Sequence, residues 1–121
     1  MSLVFVHSRL AISILLYVII LCVWGFWMYI RKNDVSGSFW GALIIAELLI
    51  LVQGSLGIVL IVNGLKPERG GMHILYGIVG AIGIPAVYSI TKGRNNRKAL
   101  LVYTAVLLFT AVIFIRSMAT G

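Results

Sequence analysis

Acidic side chains are scarce in this chain, three aspartates and glutamates against ten lysines and arginines in 121 residues. No pair of carboxylates presents itself, Asp34 sits in a polar connection, and neither a nucleophile triad nor a phosphate-binding loop appears. Hydrolytic catalysis therefore has no candidate constellation. Cysteine occurs once, as Cys22 within an apolar run, which excludes an internal disulfide and any cysteine-based metal site. Charged residues of either sign make up only 11%, where a soluble domain carries about a quarter.

What the chain has in excess is apolar surface. Apolar residues account for 61% and the mean hydropathy is +1.09. The length allows one domain, spanning residues 1–121. So small a unit cannot hide that much apolar surface within itself, so a lipid bilayer is expected to cover the rest. The formal charge of +7 does not point to nucleic acid, because the cations stand in short clusters between apolar runs. In a membrane protein such clusters orient the chain, and no nucleic-acid partner is expected.

A membrane-spanning helix needs about 20 mostly apolar residues. Four runs qualify, at approximately Val4–Ile30, Phe39–Val62, Met72–Thr91 and Ala99–Arg116. The first is closed by Arg31, Lys32, Asn33 and Asp34, the second by the helix-stopping pair Asn63-Gly64. The third is followed by Lys92-Gly93-Arg94 and should bend at Pro85. The first run is too long for a signal-peptide core and has no small-residue cleavage pattern, so it is expected to be retained. Barrel strands would alternate in polarity over about ten residues, and these runs do not. The expected fold is all-α, an integral membrane four-helix bundle, up-down-up-down because each connection is short.

The turns after the first and third runs hold Arg31, Lys32, Lys92, Arg94, Arg97 and Lys98. The opposite side holds Arg9, Lys66, Arg69 and Arg116. The side richer in cations should face the cytoplasm. A multi-pass protein of a bacterial-type inner (plasma) membrane is expected, with both termini on the outer, periplasmic side. Trp24, Trp27, Tyr29, Phe39 and Trp40 cluster toward the cytoplasmic surface as an interfacial aromatic belt.

The only histidines, His7 and His73, open the first and third runs. Alternating helices bring both imidazoles to one membrane face, on helices that are diagonal in a square bundle. Two imidazoles reaching inward can bracket a flat cofactor, and haem iron accepts two axial imidazoles in that way. Gly77 and Gly80 follow His73 on its own helical stripe, where the lack of side chains would let a flat ring lie close. Arg9, Lys66 and Arg69 stand near this rim as partners for carboxylate groups of such a cofactor. Equally, a histidine near a helix end can sit at the lipid interface, and glycines such as Gly54 and Gly57 can serve helix packing.

The order His7-Ser8-Arg9, then Gln53-Gly54-Ser55-Leu56-Gly57 running to Gly64-Leu65, then His73, resembles one four-helix half of the haem A synthase family. The resemblance covers roughly residues 4–91. It implies His7 and His73 as axial ligands on the outer side, and it inclines Gln53 toward contact with the ligand. The family's carboxylate three residues before the first histidine is Val4 here, and only one histidine pair is present. The expected activity is therefore haem b binding for electron transfer, within a respiratory or photosynthetic complex, rather than catalysis by this chain alone. Other membrane subunits or a second copy are the expected partners. The alternative is a cofactor-free accessory or assembly subunit of a large membrane complex. Glu47, the one carboxylate well inside a run, is either a proton or quinone site or a neutral acid bonded to a neighbouring helix.

Overall fold

The computed structural model describes residues 2–64 and 70–120. It consists of four helices, α1 (Leu3–Ile30), α2 (Gly37–Val62), α3 (Gly70–Thr91) and α4 (Arg97–Thr120). No strand occurs among the described residues. The ends at Ile30, Val62 and Thr91 coincide with those read from the sequence. The starts lie one or two residues earlier, because a helix begins at its cap and not at its first apolar residue. Ser2 Oγ accepts from the Phe5 amide at 3.1 Å and Ser36 Oγ from the Phe39 amide at 3.1 Å. Asn96 Oδ1 does the same for Ala99 at 2.9 Å. α4 also runs four residues past Arg116, to Thr120, and α3 continues as one helix through Pro85.

The C-terminal ends follow backbone geometry just as closely. Gly64 takes φ +84° after the Asn63 cap, the left-handed position that glycine adopts without a Cβ penalty. Lys32 and Lys92 occupy the same region at φ 61° and 54°, where a side chain is costly. Behind them the Asn33 amide reaches Met28 O at 2.9 Å and the Gly93 amide reaches Tyr88 O at 3.1 Å. These are the long backbone bonds of a Schellman ending.

Each helix packs on two others. α1 lies against α2 and α4, and α3 lies against α2 and α4, while α1 and α3 share no backbone approach and form one diagonal. The α1–α4 seam is the most extensive and the α2–α3 seam the thinnest. Along the thick seam Gly25 is buried. A Cβ there would meet Thr104 Oγ1 and would stand 3.1 Å from Phe39 Cζ. Around it Ile14, Val18, Phe39, Leu43, Leu100, Tyr103 and Leu107 form the core.

The two polar turns sit at one end. The Val35 amide donates to Asn95 O at 2.8 Å. Arg97 Nε donates to Tyr29 O at 3.0 Å, with its guanidinium 4.2 Å from the Tyr29 ring centre. The six cations of these turns therefore gather at this end, away from the histidines. The outer surface is apolar: Ile20 is 69% exposed, Ile90 76% and Val62 78%. So many large apolar side chains exposed together exceed the patches usual on a water-soluble monomer. All four helices are long and apolar enough to cross a membrane, consistent with a multi-pass membrane protein.

Candidate metal centre

His7 stands in the second turn of α1 and His73 in the first turn of α3, each half-buried. Their helices are diagonal, yet the two ring centroids lie 6.3 Å apart with the ring planes at 62°. A metal–imidazole bond is about 2 Å long. Two such bonds, plus the distance from each ring centre to its own nitrogen, come to about that separation.

Each ring is held by a different helix. His7 rests against α2 at Gly57, where an added Cβ would be 3.4 Å from His7 Cε1. One turn earlier on the same helix, Gln53 Nε2 donates to His7 O at 2.8 Å. Gln53 is buried at 8% exposure and so ties α2 to the first turns of α1. His73 leans on α4 instead: its Nδ1 lies 3.0 Å from Ser117 O and 3.3 Å from Ser117 Oγ. A carbonyl oxygen can only accept, so Nδ1 carries the proton. A backbone carbonyl fixing one imidazole nitrogen is the usual support of a metal-bound histidine.

On the His7 side two polar atoms are buried without a hydrogen bond, His7 Nδ1 and Gln53 Oε1. Buried polar atoms are nearly always satisfied, so a bound group with something to offer them would complete the site. No cluster of three or more His, Cys, Asp or Glu side chains occurs among the described residues. Two imidazoles would suit a centre whose other positions arrive with a bound group, as the four nitrogens of a tetrapyrrole do.

The remaining residues distribute unevenly. Gly77 has open space where its side chain would be, whereas a Cβ on Gly80 would lie 3.8 Å from both Ile113 Cγ2 and Phe114 Cε1. Gly80 thus faces α4. Arg9 is exposed and lies over the Phe5 ring at 5.2 Å. Lys66 and Arg69 fall outside the described residues. Sequence reading passed over Ser117, which lies just beyond the fourth apolar run. The available signal was depth: Ser117 lies about as far beyond the α3–α4 turn as His73 lies before it. Comparison with known protein families, curated proteins and solved structures returns no match.

Proposed function

We propose that this chain is an up-down-up-down bundle spanning a bacterial-type inner membrane, and that it binds haem b between His7 and His73. The observation that carries this reading is the meeting of the only two imidazoles, from diagonal helices, at a separation suited to one metal. The fixed Nδ1 of His73 and the unsatisfied Nδ1 of His7 support it from each side. When bound, a bis-imidazole haem supplies one-electron redox chemistry with no open position for a substrate. The chain's own residues do the rest. Gln53 and Gly57 position His7, and Ser117 sets the tautomer and angle of His73. Gly77 offers backbone without a side chain on the His73 stripe, and Arg9, with Lys66 and Arg69, supplies positive charge for the carboxylates of the cofactor. Electron transfer within a larger respiratory or photosynthetic assembly is the role this implies. The gathering of six cations at the far end supports placing that end in the cytoplasm and the histidines near the outer face.

The test is a reduced-minus-oxidised absorption spectrum of the protein purified from cells supplied with haem. A Soret and α band of low-spin haem b is expected, lost in His7→Ala and in His73→Ala. A colourless wild-type protein, or bands that survive both substitutions, refutes the proposal.

A further inference from the structure

Away from the histidines, the thin α2–α3 seam opens into a cleft of about 480 Å³ lined by Trp40, Glu47, Ile84, Pro85, Tyr88 and Tyr103, among others. It is open to the side: Ile44 and Leu48, which also line it, are 58% and 55% exposed, and so is Tyr88 at 55%. Its inner wall is an aromatic corner. Trp40 packs edge-on against Tyr103, with ring centres 5.2 Å apart, and against Tyr88 at 5.7 Å. The Tyr88 hydroxyl is directed to the turn, where it covers Gly93.

Two of the residues that line this cleft carry a buried polar atom without a well-formed hydrogen bond, Glu47 Oε1 and Tyr103 Oη. Tyr103 is fully buried, with Thr91 as its hydroxyl neighbour; Thr91 Oγ1 donates to Val87 O at 2.8 Å, so toward Tyr103 it can only accept, and the lone pairs of Tyr103 Oη are left without a donor. Glu47 is the only acidic residue in any of the four helices. A lipid acyl chain in the cleft would leave both polar atoms unsatisfied in an apolar medium, which is costly. A water-borne polar solute would have to cross the apolar flank to enter. The occupant that meets both conditions travels in the membrane, is flat enough for the aromatic corner, and carries oxygens at its ring edge.

We propose that this cleft is a binding site for a lipid-borne quinone or quinol, whose ring packs on Trp40 and whose oxygens meet Glu47 and Tyr103. Ligand pockets of this size, mostly apolar with a few convergent polar groups, suit a ring of that class. The site does not depend on the histidine pair.

The experiment uses the full chain in lipid nanodiscs, with a decyl-substituted benzoquinone as probe and decylbenzene as the matched ligand without ring oxygens. Binding is read by titration calorimetry. Saturable binding of the quinone and none of decylbenzene is expected. Glu47→Leu and Tyr103→Phe should each weaken it about five- to tenfold, the effect of one lost hydrogen bond. Glu47→Gln, which keeps a hydrogen-bonding side chain of the same length, should stay within about threefold. Equal, unsaturable uptake of both probes overturns the proposal, as does saturable quinone binding that neither Glu47→Leu nor Tyr103→Phe alters.

Discussion

Replacing Gly25 by alanine sets two opposed effects against each other. In an open helix the change stabilises by about 1 kcal/mol, because alanine has the better helix propensity. Here the new methyl meets Thr104 Oγ1 on α4 and stands 3.1 and 3.2 Å from the Phe39 ring edge. Neither neighbour moves freely. Thr104 Oγ1 donates to Leu100 O at 2.8 Å, Cys22 Sγ reaches Thr104 O at 3.6 Å, and Phe39 has no exposed surface. Overpacking a tight site costs about 1–3 kcal/mol, so a net loss of about 1 kcal/mol is expected. Removing the Thr104 hydroxyl and methyl should recover much of it. In a double-mutant cycle, Gly25→Ala with Thr104→Ala should show a favourable coupling of about 1–2 kcal/mol. The measurement is reversible unfolding in mixed detergent micelles, followed by tryptophan fluorescence and far-ultraviolet circular dichroism. If Gly25→Ala is stabilising to the same extent with Thr104 present or truncated, α1 and α4 do not meet at this point.

Three other expectations concern separate parts of the molecule. Gly57→Val should drive its methyls into the His7 ring and weaken haem retention about tenfold or more, an overpacking cost of about 1–3 kcal/mol. Gly57→Ala, whose Cβ fits at 3.4 Å, should keep the haem bands, and equal spectra for the two variants would refute the seating of His7. Lys32→Gly relieves a side chain at φ 61° and should raise unfolding stability by about 0.5–1 kcal/mol, the sign being the check. In a Cys22→Ser background, Asn95→Cys should react with a membrane-impermeant maleimide only after cells are opened. Ser2→Cys should react before, and the reverse pattern would invert the charge-based orientation.

Helix ends were legible because the chain marks them chemically. Ile30, Val62 and Thr91 are each followed by a polar cluster or by Asn63-Gly64, so burial and backbone geometry change at the same residue. Helix starts were less so, because apolar periodicity is blind to Ser2, Ser36 and Asn96, whose contribution is a hydrogen bond. The meeting of His7 and His73 followed from their position at equal depth in alternating helices. Their supports did not: Ser117 acts mainly through a backbone carbonyl, which every residue has. Gly57 acts by lacking a side chain, and Gly80, which shares its type and the expected stripe, packs against α4. The cleft beside Glu47 arises from the thinness of one seam, a property of how four surfaces fit together, not of any residue considered alone.

The most extensive seam joins the first helix to the last. The chain makes α1 long before α4, and until then the inner face of α1, with Ile14, Val18 and Leu21, has only α2 to lean on. Ser117, which steadies His73, is made only with α4, after both imidazoles. Assembly of the proposed site would thereby wait for α4: a chain stopped before it would hold both imidazoles without the carbonyl that orients His73. Such a fragment would leave the notch at Gly25 uncovered where Thr104 closes it in the finished bundle.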